Sequence, residues 1–352
     1  MNASRRNGKT IGPLWLGIET SCDETGVALV EERQGRTRVL GALLTSQVNR
    51  HRPFGGIVPE LAVREHARNL PLLIPRLFQE AGLAARELGG IAVTEGPGLA
   101  SSLLVGNAYA RAMGAALALP VFGVNHLEGH LFSPFLEGEE PVPFPFLGLV
   151  VSGGHTLLAA AEGWNRYRIL SSTSDDAAGE ALDKIARLLG LPYPGGPEIE
   201  RMASKGDPKA FSFPRGFPEI GDLRFSFSGV KTSVRYFLEQ HAEERSDPAF
   251  LADVAASLQE SVVRTLCEKT LWAARAGRFR IVAASGGVVA NRQLRAILEA
   301  GCRDAGFLCR IAPSALCTDN AVMIASAAAL KSAAGIPPSV REDIDPGLPL
   351  TA

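Results

Sequence analysis

The chain has 352 residues, 46% hydrophobic and 21% charged, a balance that excludes disordered and fibrous classes and is enough for two buried cores. Its 36 Lys and Arg offset 37 Asp and Glu to a formal charge of -1, so the total charge names no polyanionic partner and any nucleic acid must meet a local patch. Five scattered cysteines lack zinc-ribbon spacing and disulfide-scaffold density, which points to a reducing cytoplasm.

Residues 1–13 read as a disordered leader. The apolar stretch 11–18 is broken by Gly12, Pro13 and Gly17, too short and interrupted for a signal peptide or a membrane span. Residues 14–19 and 26–30 then read as strands joined by the polar turn 20–25, a hairpin with a polar tip. Residues 66–81 and 103–119 have helical periodicity, and 89–98 reads as a strand closing on a tight turn.

His126 and His130 stand four apart, so a helix sets both imidazoles on one face within reach of one metal. Two histidines are an incomplete site. Asp319, ahead of an alanine-rich helix, offers a carboxylate, although such a histidine pair also arises by coincidence and an acid in that position is also an ordinary N-cap. Glu128 lies about 200° round the helix from His126, which does not suit the base of a metalloprotease motif.

The acidic, then proline-rich stretch 137–145 reads as a boundary. Beyond it, residues 146–151 and 157–160 repeat the hairpin device around Ser152-Gly153-Gly154-His155-Thr156. Such tips offer backbone amides and small hydroxyls to a phosphate chain; one glycine pair alone is more often just a turn, and duplication shifts that balance. Asp175, Asp176, Glu180 and Asp183 gather at a helix start. The first two suit the helix dipole, and Asp183, deeper and followed by the turn at 193–197, suits ribose hydroxyls. Residues 206–227 read as a loop-rich insertion or lid. Residues 281–292 read as a strand, a glycine turn and a helix from about Ala290, either a nucleotide-receiving arrangement or an ordinary turn, and they lack the lysine of a P-loop. Strands and helices alternate, so the class is α/β, with one lobe at 14–136 completed by 315–346 and a second at 146–314.

Residues 17–25, 125–130, 151–156, 175–196, 225–232, 285–291 and 317–320 together resemble the tRNA N6-adenosine threonylcarbamoyltransferase family, once labelled glycoproteases. The resemblance runs from about Leu14 to Pro346. It implies a two-lobed actin-like ATPase (ASKHA) fold with duplicated ribonuclease-H-like lobes and a central nucleotide and metal cleft. It further implies one divalent metal per subunit, iron(II), with zinc or magnesium as substitutes in vitro, on His126, His130 and Asp319. Threonylcarbamoyl-AMP or an adenine nucleotide would contact Val150, Val151, Ser152, Gly153, Gly154, Asp183, Gly196, Glu200 and Asn291, with Asp23 and Glu24 needed for catalysis.

The implied reaction moves a threonylcarbamoyl group from that adenylate to N6 of the adenosine next to the anticodon, in tRNAs reading codons that begin with adenine, and releases AMP. Such acyl transfer needs a polarised carbonyl and a neutralised phosphate, which a metal and glycine-loop amides can supply. Implied partners are tRNA, a shorter inactive homologue of the same fold and a small P-loop ATPase, with no membrane. Arg201, Lys205, Lys209, Arg215, Arg224, Lys231 and Arg235 could meet the tRNA backbone, or form a solvated face. Cys22 has no histidine adjacent in sequence and the chemistry needs no covalent step, so it reads as no nucleophile. The rivals are a superfamily ATPase or phosphotransferase, disfavoured by the histidines with Asp319, and a non-catalytic partner subunit, disfavoured by retention of every metal and glycine position.

Overall fold

A computed structural model of the chain describes residues 4–6, 9–136, 140–219 and 221–350. The chain forms two compact units, Met1–Pro143 with Thr318–Leu350, and Phe144–Cys317. Within the segment read as a leader, β1 (Ser4–Arg6) pairs antiparallel with β2 (Lys9–Ile11).

In the first unit β3 (Leu14–Glu19), β4 (Glu24–Glu32) and β5 (Thr37–Ser46) form an antiparallel meander. All six residues of β3 are buried, as expected of a strand covered on both faces. After α1 (Val48–His51) and α2 (Pro59–Ala81), β6 (Leu88–Gly96) joins β3 in parallel. Then α3 (Ala100–Leu117) leads to β7 (Val121–Asn125), parallel to β6, and to α4 (His126–Phe132). Leu70, Leu73, Ile74 and Leu77 form the buried stripe of α2 and pack with Leu16, Ile18, Val27 and Leu29 of the sheet.

The second unit repeats this topology. Strands β8 (Phe146–Val151), β9 (Thr156–Gly163) and β10 (Arg166–Ser172) form a meander, followed by α5 (Ala178–Leu188), α6 (Gly195–Ala203), α7 (Ser228–Gln240) and α8 (Pro248–Ala276). Strand β11 (Ile281–Ser285) joins β8 in parallel, and after α9 (Arg292–Ala305), β12 (Leu308–Ile311) joins β11. The strand orders β5-β4-β3-β6-β7 and β10-β9-β8-β11-β12 are the same path taken twice. Helix α9 starts at Arg292, later than the sequence suggests, because Gly286 (φ 99°) turns the chain into a 3-10 turn, Gly287–Ala290, before the helix begins.

Helix α10 (Ala321–Ala333) returns the chain to the first unit and packs on β3 and β4. Gly17 makes this approach possible: a Cβ there would strike the Ala321 carbonyl oxygen and lie 2.8 Å from the Ala325 Cβ. The stretch 206–227, expected as an insertion or lid, is fastened along α8. Ser261 Oγ donates to the Pro214 carbonyl (3.0 Å), and Lys269 Nζ donates to the carbonyls of Phe217 (2.7 Å) and Asp222 (2.6 Å). Among the described residues no helix is long and apolar enough to cross a membrane.

Candidate functional site

In the first unit, β7 delivers the chain to α4, where Asn125 Oδ1 accepts the Leu127 N–H (2.9 Å) and so starts the helix at His126. One turn then brings the His126 and His130 rings to 4.8 Å between centroids, nearly perpendicular. Asp319 Oδ1 lies 3.3 Å from His126 Nε2 and 3.2 Å from His130 Nε2. Asp319 is not the cap of α10, as its position in sequence suggests. Asn320 fills that role by accepting the Met323 N–H (3.0 Å), which leaves the Asp319 carboxylate to the histidines. The three ligand atoms lie within 4.8 Å of one another, two imidazole nitrogens and a carboxylate oxygen, a donor set that fits iron(II) or zinc. Glu128 turns away from this cluster and pairs with Lys331 Nζ of α10 (2.9 Å), tying the helix of the histidines to the helix that Asp319 precedes.

The charges are arranged for a cation. Burial alone would discourage protonation of His126, but the Asp319 and Glu19 carboxylates outweigh it and hold its pKa well above the usual value. Burial would raise the Asp319 pKa, yet the charge and hydrogen bond of His126, with His130, hold it well below the usual range. His130, by contrast, is kept neutral, its pKa lowered by burial.

Sequence reasoning missed Glu19, the last residue of β3, which is fully buried. Its carboxylate accepts from the Ser21 N–H (2.6 Å) and Thr94 Oγ1 (2.7 Å), and lies 3.1 Å from His126 Nδ1. The available signal was a lone acid ending an apolar strand. His66 was missed too, being read only as part of a helical pattern. Its Nε2 donates to the Cys22 carbonyl (2.9 Å) and its Nδ1 accepts from Thr25 Oγ1 (2.8 Å), so it clasps the hairpin tip at both ends.

The expected catalytic acids lie in that tip. Asp23 is buried and its Oδ2 has no hydrogen-bond partner among the described residues. Glu24 is pushed well above the usual carboxyl range by burial, then by the charges of Asp23 and Asp319. The same burial and acids push the Cys22 thiol well above its ordinary value, so it stays a thiol.

In the second unit the residues expected at the nucleotide have varied settings. Val150 and Val151 are fully buried strand residues whose side chains belong to the interior. At the tip, Ser152 N–H donates to the His155 carbonyl (2.8 Å) and His155 N–H donates to Ser152 Oγ (3.1 Å). Gly153 and Gly154 are exposed, and a Cβ at either would meet nothing within 4 Å. Gly196, in the first turn of α6, is open in the same way. Asp183 Oδ1 accepts the Gly195 N–H (2.6 Å), and Glu200 Oε1 accepts the Arg292 N–H (2.9 Å) and faces its guanidinium. Asn291 caps α9 by accepting the Leu294 N–H (3.0 Å) and donates to Gln259 Oε1 (2.7 Å).

Two expectations for this unit change. Asp175 does not serve the dipole of α5; it accepts from the backbone N–H and the hydroxyl of Ser228 and from the Phe227 N–H, at the start of α7. Asp176 pairs with Lys184 (2.8 Å) and Lys231 (3.0 Å). Of the basic candidates, Lys231 is thus neutralised, as are Arg201 by Glu198, Arg215 by Glu268, Arg224 by Asp222 and Arg235 by Glu239. Lys205 and Lys209 have no ion-pair partner among the described residues.

The two units carry five-stranded sheets with the same strand path. Two solved structures of HypF, one from T. kodakarensis and one in a phosphate- and nucleotide-bound form, superpose with TM-scores of 0.59 and 0.58 at 16% and 13% identity. They cover 93% and 92% of this chain and 48% and 47% of their own, a likeness of fold alone. Residues 38–326 match the family model described as tRNA N6-adenosine threonylcarbamoyltransferase. Curated relatives of that name include one from Verminephrobacter eiseniae, 48% identical over 97% of this chain and 99% of its own length. Another, from Anaeromyxobacter dehalogenans, is 50% identical over 89% and 92%. The chain belongs to the tRNA N6-adenosine threonylcarbamoyltransferase family.

Proposed function

We propose that this chain transfers the threonylcarbamoyl group of threonylcarbamoyl-AMP to N6 of the adenosine next to the anticodon, in tRNAs reading codons that begin with adenine. Family membership over nearly the whole chain carries this reading and favours it over a superfamily phosphotransferase or an inactive partner subunit. The clustered His126, His130 and Asp319 add a donor set that fits one divalent metal, iron(II) in this reading. When bound, the metal would supply Lewis acidity.

The chain's own residues do the rest. Amides at Gly153 and Gly154 receive the phosphate, where the open glycines let a ligand approach the backbone, and Ser152 keeps the tip closed by its bonds with His155. Asp183, Gly196, Glu200 and Asn291 line the nucleoside end. The amine nitrogen forms a bond to the carbamoyl carbon, the carbon–oxygen bond to phosphate breaks, and AMP leaves with the electron pair. The nitrogen then sheds a proton, for which the Asp23 carboxylate is the acceptor in this reading. Glu24 beside it is pushed well above the usual carboxyl range by burial and by the charges of Asp23 and Asp319, which disfavours a second negative charge in the tip. In the cytoplasm the chain would act with a shorter homologue of the same fold and a small P-loop ATPase.

The test is transfer of labelled threonine from synthetic threonylcarbamoyl-AMP to unmodified tRNA, with those two partners supplied. Label in N6-threonylcarbamoyladenosine is expected. Adenylate hydrolysed with unmodified tRNA left unchanged would overturn the proposal.

A further inference from the structure

The geometry assigns Glu19 as the residue that positions His126 for metal binding, by holding the proton of a neutral imidazole on Nδ1 and leaving the Nε2 lone pair for the ion. An ionised carboxylate only accepts hydrogen bonds. Ser21 N–H and Thr94 Oγ1 already donate to Glu19, whose Oε2 lies 3.1 Å from His126 Nδ1; Ser21 Oγ, 3.2 Å from the same nitrogen, can donate or accept, but the carboxylate can only accept, so Nδ1 is the donor toward Glu19. A neutral imidazole has one N–H, and fixing it at Nδ1 makes Nε2 the ligand atom. Nε2 is the nitrogen that faces Asp319.

His130 has no such support. Its Nδ1 is buried with no partner among the described residues, while its Nε2 lies 3.2 Å from Asp319 Oδ1. In the metal-free protein its proton therefore sits on Nε2, donated to Asp319. A cation taken at Nε2 moves that proton to Nδ1, where nothing receives it. His126 has only to release its Nε2 proton, with Nδ1–H already fixed on Glu19, whereas His130 must shift its proton between ring nitrogens, so the affinity of the pair leans on Glu19.

Glu19→Gln probes this with little change of shape. Keeping the bond from the Ser21 N–H requires the amide oxygen on that side, which turns the amide NH2 toward His126 Nδ1. Nδ1 then becomes an acceptor, and the proton moves to Nε2, where it blocks the ion. The inference rests on the metal reading of His126, His130 and Asp319, and the experiment separates the two. Zinc affinity is measured by chelator competition in the unmodified protein and in Glu19→Gln, with circular dichroism as the check on folding. A folded Glu19→Gln that binds zinc about 10–100-fold more weakly is expected, the usual loss on removing a group that orients a ligand. Equal affinity overturns the role of Glu19, and absence of zinc binding in the unmodified protein overturns the metal reading and this inference with it. Should Glu19→Gln not fold, nitrogen-15 spectra of the zinc-loaded unmodified protein decide. A proton bonded to His126 Nδ1 supports the assignment, and a bare Nδ1 overturns it.

Discussion

The two hairpin tips, residues 20–23 and 152–155, occupy the same place in the same strand path, yet they are built in opposite ways. The first is buried and braced on every side. Thr20 Oγ1 donates to the Ser102 carbonyl (2.9 Å), Ser21 is tied to Glu19, Cys22 to His66, and Ser21 Oγ lies 3.2 Å from His126 Nδ1. The second is open and nearly self-sufficient, closed by two bonds between Ser152 and His155 and exposing two glycines. The first tip lies beside the carboxylates and imidazoles that suit a cation, and the second exposes the backbone of Gly153 and Gly154, which suits an anion.

The strongest way to break this comparison is to strip the first tip's neighbour of its ligands. His126→Ala with His130→Ala removes both imidazoles and should lower metal content by at least about 100-fold, more than the loss typical of an outer group. Elemental analysis of the folded double variant reads this directly. Metal retained at the unmodified level would remove the basis for calling the first tip cationic in purpose.

A second test uses proton linkage. Because Asp319 and Glu19 hold the His126 pKa well above its usual value, the metal-free protein carries a proton on His126 Nε2 that the ion must displace. Metal affinity should therefore rise about tenfold per pH unit from the acid side and level off only above the raised His126 pKa. Zinc titrations at several pH values follow the slope. A flat profile through neutrality would mean that no proton leaves when the metal enters.

The second tip is tested by Gly153→Val. Its φ lies outside the left-handed region and a Cβ there meets nothing within 4 Å, so the substitution costs the free protein little. A bulky side chain at the amide surface should weaken adenylate binding about tenfold, near the ~1.5–3 kcal/mol of one hydrogen bond to a charged group. Metal content should not change. Isothermal titration with a non-hydrolysable adenylate analogue, beside elemental analysis, measures both, and loss of metal in this variant would erase the division between the tips.

Much of this arrangement was legible in the sequence because it is local. The hairpin tips announce themselves by strand, polar turn and strand, and His126 and His130 by helical spacing. The remainder depends on contacts between distant segments. Asp183, Glu200 and Asn291 look like free polar groups in sequence, yet each bonds a helix N-terminus, at Gly195, Arg292 and Leu294. Asp175 serves a helix more than fifty residues on, and no helical pattern could reveal that. Glu19 was hidden for the opposite reason. It ends a strand so apolar that an acid there reads as a boundary, when burial between Thr94 and His126 is what makes it matter.

The smallest expected effect belongs to Cys22, the one residue of the first tip whose chemistry could be mistaken for catalysis. A nucleophilic cysteine must be a thiolate, drawn down by a neighbouring cation or a helix N-terminus. The setting here does the reverse: burial, then the charges of Asp23 and Asp319, push the thiol well above its ordinary value, so at neutral pH it is protonated. What the tip takes from Cys22 is its backbone, since the carbonyl receives His66 Nε2 whatever side chain stands there. Cys22→Ser keeps that carbonyl and nearly the same volume, so transfer activity should stay within about twofold, the ±0.5 kcal/mol scale of a mild substitution. Loss of a true nucleophile would cost several orders of magnitude, so the two outcomes do not overlap. Steady-state transfer at saturating adenylate, with metal content confirmed, separates them. A collapse of activity with metal and nucleotide binding intact would make the first tip a site of covalent chemistry, and its acids would then need a different role.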